Sequence, residues 1–161
     1  MDESQFKAFY DATRHALRAY LFRVLEIEAM VDDISQETYL RFLNSRGSHL
    51  PVPEARKYLF TIAANLVRDY WRRSGREYYD GGVGEVHIAQ HDDHTQRDFT
   101  VQRVLEKLPI KQRSLLWLAY VEGYSHREIA EIHKVSEKSV RVLLSRARNN
   151  MRNLLDTSEE L

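Results

Sequence analysis

Apolar residues recur at intervals of three and four along most of the chain, the spacing that gathers them on one face of a helix. The pattern predicts three helices in the first half of the chain. The second spans about residues 30–44, and the third spans 56–73. Strict alternation of apolar and polar residues is scarce, so the pattern predicts an all-α protein. The predicted buried face of the first helix consists of Phe6, Phe9, Tyr10, Thr13, Leu17, Tyr20, Leu21 and Val24.

The helical pattern is interrupted at two places. Residues 45–55 contain one glycine and two prolines and are predicted to be a loop. Residues 74–98 contain four glycines and no sustained period, which is typical of a flexible linker. The pattern therefore predicts two small helical domains, residues 1–73 and 99–161, joined by an acidic linker over 74–98.

The second domain is predicted to end in a helix-turn-helix. Ser125 and Glu128 have the spacing of a capping box, which predicts a helix start at this point. A turn at 133–135 follows, and Ser136 is a suitable N-cap for the next helix. The predicted apolar stripe of that helix consists of Val140, Leu143, Leu144, Ala147, Met151, Leu154 and Leu155.

Composition narrows the function classes. The absence of cysteine excludes disulfides, thiolate metal sites and cysteine nucleophiles, and it fits a reducing cytoplasm. No stretch approaches the ~20 apolar residues of a membrane span, and the N-terminus has no apolar core of the signal-peptide type. We therefore expect a cytoplasmic protein that is not inserted in a membrane.

The charges are segregated although the formal net charge is +0. Basic residues dominate 134–152 and parts of 56–73, whereas acidic residues dominate 77–98. Separate basic patches predict binding to nucleic acid, which overall neutrality alone would argue against.

The last helix has the side chains that a DNA-recognition helix needs. Lys138 and Arg141 lie near its N-terminal end, where they would contact base edges, and Arg146 and Arg148 lie farther along, where they would contact phosphates. A solvated basic face is the alternative, and the apolar Val142 leaves open a contact between part of this helix and a protein. The candidate residues are Ser136, Lys138, Ser139, Arg141, Val142, Ser145, Arg146 and Arg148.

Three segments, in this order, resemble one family. "VDDISQETYLRFL" is similar to region 2.2, "RKYLFTIAANLVRDYWRR" to regions 2.3 and 2.4, and "LEKLPIKQRSLLWLAYVEGYSHREIAEIHKVSEKSVRVLLSRARNNMRNLL" to region 4 of bacterial group 4 sigma factors, the extracytoplasmic-function (ECF) type. The resemblance covers nearly the whole chain except the linker. It implies a sigma2-like helical bundle followed by a sigma4-like helix-turn-helix domain.

The resemblance also implies which residues bind which partner. The recognition helix from Ser136 would bind the promoter −35 element, and the loop at 45–54 would capture a base flipped from the −10 element. Candidates for binding core RNA polymerase are Asp33, Gln36, Glu37, Leu40 and Arg41. Candidates for binding the −10 element are Lys57, Thr61, Asn65, Arg68, Trp71 and Arg72. For Trp71, stacking on unpaired bases and a place in the core are equally compatible with the pattern.

The implied function is that of an alternative sigma factor. It would direct promoter-specific initiation by core RNA polymerase, bind promoter DNA poorly alone, and be held inactive by an anti-sigma factor. A free-standing helix-turn-helix regulator is the alternative, although it would normally dimerise and would leave 29–73 unexplained. A third possibility is a module that only sequesters an anti-sigma factor.

No enzyme is expected, since no nucleophile, base and orienting group share a motif and no phosphate-binding loop occurs. No cofactor or metal is expected either, because the spacing in the histidine cluster matches no established metal site. That cluster consists of His87, His91 and His94 beside Asp92 and Asp93.

Two residues depart from the family's pattern. Lys134 stands where the turn usually has glycine, and a non-glycine residue at positive φ costs ~1 kcal/mol or more, so we expect a turn of different shape. His133 replaces a usually apolar residue, which makes the local packing unusual.

Overall fold

A computed structural model describes residues 1–75 and 96–159, with side chains for 1–75 and 101–157. Every described element is a helix, as the apolar spacing predicted. The α-helices are α1 Glu3–Leu25, α2 Glu28–Leu43, α3 Val52–Ser74, α4 Gln96–Glu106, α5 Ile110–Tyr120, α6 His126–His133 and α7 Glu137–Glu159, and a 3-10 helix spans Arg46–His49. We call α1–α3 the N-terminal unit and α4–α7 the C-terminal unit.

The predicted loop at 45–55 is only partly a loop. A short 3-10 helix occupies its first half, and α3 begins at Val52, four residues before the predicted start at 56. The two prolines lie at the start of α3, with Pro51 as the N-cap residue and Pro53 in the first turn. Proline is tolerated there because the first amides of a helix have no intrahelical acceptor. The prolines therefore mark the start of a helix. The prediction that they belong to a loop is wrong for this part of the segment.

The 3-10 helix packs closely on α3. A Cβ atom added to Gly47 would lie 2.5 Å from Cδ1 of Tyr58, so only glycine permits this approach. The Ser45 hydroxyl accepts a hydrogen bond from the Gly47 amide at 3.1 Å and donates one to the Phe42 carbonyl at 2.8 Å. These contacts fix the loop between α2 and α3.

The two units share one continuous hydrophobic core. Leu17, Phe60 and Val67 of the N-terminal unit belong to the same buried cluster as Leu115 and Ile129 of the C-terminal unit. The most extensive packing between the units is that of α3 on α6 and of α1 on α5. The predicted buried face of α1 is largely confirmed, except that Tyr10 is 38% exposed.

The helix-turn-helix has the predicted caps. The Glu128 amide donates to the Ser125 hydroxyl at 3.2 Å, and the Glu128 carboxylate accepts from the Ser125 amide at 3.0 Å. The Ser139 amide donates to the Ser136 hydroxyl at 3.1 Å, as expected for an N-cap of α7. Lys134 adopts the left-handed conformation, with φ 55° and ψ 44°. The expectation of a differently shaped turn is therefore wrong, because lysine takes the conformation that glycine would otherwise supply.

Two predicted features lie partly or wholly outside the described residues. The histidine cluster at 87–94 lies outside the described residues, as does most of the predicted linker. Helix α4 begins at Gln96, inside the last residues of the predicted linker. Within the described ranges, no helix has the length and apolar character needed to cross a bilayer.

Candidate nucleic-acid and protein interfaces

Helix α7 presents an exposed basic face. Val140, Leu144 and Ala147 are buried against the C-terminal unit, which turns the opposite side of the helix to solvent. Among the predicted −35 residues, Ser139 is half-buried and the others are exposed: Ser136, Lys138, Arg141, Val142, Ser145, Arg146 and Arg148. The Arg148 guanidinium donates to the Tyr120 hydroxyl at 3.1 Å, which holds it toward α5. The first turns of α7 are therefore accessible to a DNA groove.

Five of the six predicted −10 residues lie along one face of α3, and that face is partly covered by α6. Lys57 Nζ lies 2.5 Å from the Glu131 carboxylate, and Arg68 donates to the backbone carbonyl of His133 at 3.1 Å. Asn65 is half-buried, and its Oδ1 has no hydrogen-bond partner among the described residues. The remaining two members differ, since Thr61 is half-buried and donates to its own helix, whereas Arg72 is exposed.

Trp71 does not belong to this face. Its side chain is buried, with a relative exposure of 8%, and its indole N–H donates to the Val24 carbonyl at 2.7 Å. The prediction that it contacts DNA is therefore corrected: the indole packs between α3 and α1 because its ring and its donor are both satisfied there. Its neighbour Tyr70 contacts it edge to face, at a centroid distance of 5.2 Å.

Helix α2 presents the predicted polymerase-binding residues to solvent. Asp33, Gln36 and Leu40 are exposed, and Leu40 is 55% accessible although it is apolar. Glu37 and Arg41 form an ion pair one helical turn apart, at 2.8 Å. The opposite face of α2 is buried in the core through Val31, Ile34, Thr38 and Phe42. This arrangement leaves a mixed acidic and apolar stripe available to a protein partner.

A cavity of about 610 Å³ lies beside the loop at 45–54, which was predicted to capture a flipped base. Its lining includes Phe9 and Thr13 of α1, Ser48 and His49 of the 3-10 helix, and Val52 and Arg56 of α3. The volume falls within the ~300–1,000 Å³ of small-molecule pockets. The wall combines apolar surface with a few polar groups, which suits a planar ring with hydrogen-bonding edges.

A buried hydrogen-bond chain connects the two units. The Tyr20 hydroxyl of α1 pairs with the Ser114 hydroxyl of α5 at 2.7 Å, and Ser114 pairs with Nε2 of His133 at 2.8 Å. Burial lowers the pKa of His133 to about 3, and the nearby Arg68 and Lys111 charges add to this effect. His133 is thus a neutral histidine, whose unusual presence at the end of α6 is explained by its polar partner.

Sequence comparison identifies the family. Residues 9–77 match the profile for Sigma-70 region 2, and residues 99–151 match that for Sigma-70, region 4. The chain is 32% identical to an ECF RNA polymerase sigma factor, EcfG of Rhodopseudomonas palustris, over 87% of this chain and 79% of that protein. The chain belongs to the ECF sigma factor family. It is a transcription initiation factor that directs RNA polymerase to promoters.

Other relatives agree with this assignment. This sigma factor is 30% identical to the RNA polymerase sigma factor CarQ of Myxococcus xanthus, over 94% of this chain and 91% of CarQ. Its fold is similar to that of the sigma factor RpoE of Bartonella quintana, solved with the anti-sigma factor NepR. That similarity has a TM-score of 0.71 at 25% identity, and it covers 94% of this chain and 97% of RpoE.

The region 2 match accounts for the segment that a free-standing helix-turn-helix regulator would leave unexplained. It spans α2 and α3, where the predicted polymerase-binding and −10 residues of the sigma factor lie. The free-standing regulator is therefore not supported.

One buried ion pair between the two units was not predicted from the sequence. Arg113 of α5 forms a buried ion pair with Glu26, at the end of α1, and donates to the Leu108 carbonyl at 2.8 Å. Burial raises the pKa of Glu26, and the adjacent Arg113 charge opposes that rise. The only local signal was a charged residue within an apolar run, "RSLLWL", since the partner lies 87 positions away.

Proposed function

We propose that this sigma factor uses three separate faces: α2 for core RNA polymerase, α3 with the preceding loop for the −10 element, and α7 for the −35 element. The observation that carries the proposal is the placement of polar and basic residues on one face of each of these three helices, within the two matched sigma regions. The faces of α2 and α7 are exposed, and the face of α3 is partly covered by α6. The protein acts by binding and positioning, and the chemistry of RNA synthesis belongs to the polymerase.

The −35 assignment rests on the exposed start of α7. Lys138 and Arg141 are exposed one turn apart near the N-terminal end of this helix, where a recognition helix contacts base edges. Arg146 lies farther along the same accessible side and would contact the phosphate backbone. Phosphate contacts would set the register, and Arg141 would supply base selectivity.

The −10 assignment rests on α3 and the cavity beside it. Lys57, Asn65 and Arg68 offer cationic and amide groups on one face, and Arg72 continues that face toward the end of the helix. The cavity next to His49 would hold a base removed from the DNA stack. Removal of a base costs a few kcal/mol, so contacts within a pocket must compensate for it. Trp71 is excluded from this role by its burial.

The partners follow from the family. Core RNA polymerase and promoter DNA are the proposed partners, which would place the protein in the cytoplasm. An anti-sigma factor is also proposed, since the similar RpoE of Bartonella quintana was solved with NepR. Purification of the tagged chain from its native cell, followed by identification of any co-purifying small protein, would test the inhibitor.

The core-binding assignment is tested by a charge-removal variant. Asp33→Ala combined with Glu37→Ala should reduce retention of the chain by immobilised core polymerase, because both carboxylates lie on the proposed docking face. Asp11→Ala combined with Asp156→Ala removes two exposed carboxylates elsewhere and should leave retention unchanged. Equal retention of both variants, with unchanged circular dichroism, would rule out this role for α2.

A further inference from the structure

We propose that Val142 of α7 contacts the 5-methyl group of a thymine in the major groove, so that the −35 element of this sigma factor contains a thymine at the base pair that Val142 faces. This inference rests on the proposed function of α7 and deepens it, because it names one of the bases that the helix selects. The observation that carries it is a single exposed valine on a polar and basic helix face.

Val142 projects away from the body of the C-terminal unit. Val140, Leu144 and Ala147 are buried, whereas 42% of Val142 is exposed. An α-helix turns by about 100° per residue, so Val142 lies roughly 140–160° around the helix axis from each of these three side chains. Its side chain is therefore on the outer face of the helix, and packing in the core does not account for it.

The surroundings of Val142 are polar and positively charged. Its neighbours within one turn on this side of the helix are all exposed: Lys138, Arg141, Ser145 and Arg146. Val142 is the only large apolar side chain exposed on α7, within the part of this helix whose side chains the structure describes. Protein-binding surfaces combine several apolar side chains into a patch and are depleted of lysine, so this face fits nucleic acid better than a protein.

The first turns of α7 are held in place for contact with bases. The Ser139 amide donates to the Ser136 hydroxyl at 3.1 Å, and that hydroxyl donates to the hydroxyl oxygen of Ser139 at 2.8 Å. Val142 is the sixth residue of α7, within the first two turns, where a recognition helix contacts base edges. Valine in a helix has one strongly preferred χ1 rotamer, so the backbone fixes the position of its methyl groups.

The 5-methyl group is what a valine can use to distinguish thymine from the other bases. Thymine alone carries this group in the major groove, and apolar side chains contact it there. The purines present acceptors or an amino group, and cytosine presents its amino group. Valine can neither donate nor accept a hydrogen bond to replace the water that it displaces from such groups. Val142 would therefore favour thymine by contact and disfavour the other bases by desolvation.

Arg141 and Val142 would select different bases by different chemistry. The guanidinium of Arg141 matches the O6 and N7 acceptors of guanine, whereas Val142 matches a methyl group. Replacement of thymine by deoxyuridine removes the methyl group and leaves every hydrogen-bonding group of the base pair in place. This replacement therefore tests Val142 and leaves the proposed contact of Arg141 unchanged.

The test uses holoenzyme reconstituted from the full chain and core polymerase, on promoters obtained by mapping RNA starts. Each thymine of the −35 element, on either strand, is replaced in turn by deoxyuridine, and the affinity of the holoenzyme for the promoter is measured. At least one replacement should weaken binding by about 2- to 4-fold, the value of one methyl group removed from water. Promoters that share no thymine in the −35 element would overturn the inference.

A variant connects the methyl preference to this one side chain. Val142→Ser removes the apolar contact at an exposed position, so it should abolish the difference between thymine and deoxyuridine at the sensitive base pair. Val101→Ser is the matched control, because Val101 is also 42% exposed but lies in α4, outside the faces assigned to polymerase and DNA. This control should retain the full preference for thymine.

The outcomes separate this inference from the proposed function. Equal initiation from promoters with a scrambled −35 element would refute the −35 role of α7 itself. Dependence on the −35 element without an effect of deoxyuridine at any position would refute the contact of Val142 and leave the proposed function standing. The inference also fails if Val142→Ser weakens binding to thymine and deoxyuridine promoters equally, or if it lowers retention by immobilised core polymerase, since Val142 would then contact the DNA backbone or a protein.

Discussion

The turn of the helix-turn-helix depends on one residue in an unfavourable conformation. Lys134 lies at φ 55°, the only left-handed residue between α6 and α7. The left-handed region costs a residue with a Cβ ~1–2 kcal/mol relative to glycine. The lysine therefore keeps the family's turn at a cost in stability.

Lys134→Gly should raise the free energy of unfolding by about 0.5–1 kcal/mol, because the relief of strain exceeds the entropy that glycine adds to the unfolded chain. Urea denaturation followed by circular dichroism would measure this. Lys134→Ala is the matched control, since it removes the same side chain and retains the Cβ. An equal gain from alanine would show that the backbone conformation is not the cause.

The buried histidine makes stability depend on pH. His133 has a folded pKa of about 3 against an ordinary value of 6.5, so the folded state binds fewer protons than the unfolded state between these values. Its contribution is fully present above pH 6.5 and is lost as the pH falls toward 3. Protonation would also place a charge beside Arg68 and Lys111.

Between pH 7.5 and pH 5.5, His133 should cost the wild type about 1.4 kcal/mol of unfolding free energy. His133→Gln retains a polar partner for Ser114 but has no group that titrates in this range. The difference between wild type and His133→Gln, measured by urea denaturation at each pH, isolates this residue. Parallel pH profiles for the two proteins would contradict the buried neutral histidine.

At the scale of the elements, helix α7 has two faces with different tasks. Its apolar stripe holds it in the C-terminal unit, while Arg141 and its exposed neighbours are turned to solvent. Substitutions on the exposed side should change DNA recognition without unfolding the domain, because no core contact is lost.

Arg141→Ala should weaken discrimination among −35 sequences by about 1–3 kcal/mol if the arginine makes a bidentate base contact. Run-off transcription by the reconstituted holoenzyme, from promoters that differ at single −35 bases, would measure this loss. Arg152→Ala removes an exposed arginine about three turns farther along the helix and should leave the discrimination intact. Unaltered discrimination in Arg141→Ala would remove this residue from base recognition.

Local features of the fold could be predicted from sequence, because their causes lie within a few residues. The Ser125 and Glu128 capping box and the helical periods depend on near neighbours alone, and both were confirmed. The prolines of the loop were misread because proline interrupts a helix but also starts one. The tertiary structure decides for a start here, because the Ala55 amide donates to the Pro51 carbonyl at 2.8 Å and so begins the helical hydrogen bonds.

Contacts between distant segments could not be predicted in the same way. Arg113 and Glu26 are 87 positions apart, and Tyr20 and Ser114 are 94 apart, so no local period links them. The spacing of Trp71 was equally compatible with a DNA-facing position and with a place in the core. The hydrogen bond from its indole N–H to the Val24 carbonyl, which only the tertiary structure shows, places it in the core. The candidate site was thus predictable as a set of helix faces, whereas its covering by α6 required the tertiary structure.

At the scale of the whole molecule, we propose that the two units bind different parts of the promoter. The N-terminal unit contains the proposed polymerase and −10 faces, and the C-terminal unit contains the proposed −35 face. Helix α6 lies on part of the proposed −10 face, where it contacts Lys57 and Arg68.

The most direct test is transcription by the purified chain with core RNA polymerase on genomic DNA of its native organism, with every RNA start mapped. The account predicts a discrete set of starts that share two upstream sequence elements at constant spacing and that disappear when either the chain or the core enzyme is omitted. Starts that are unchanged without the chain, or starts that share no upstream elements, would contradict it.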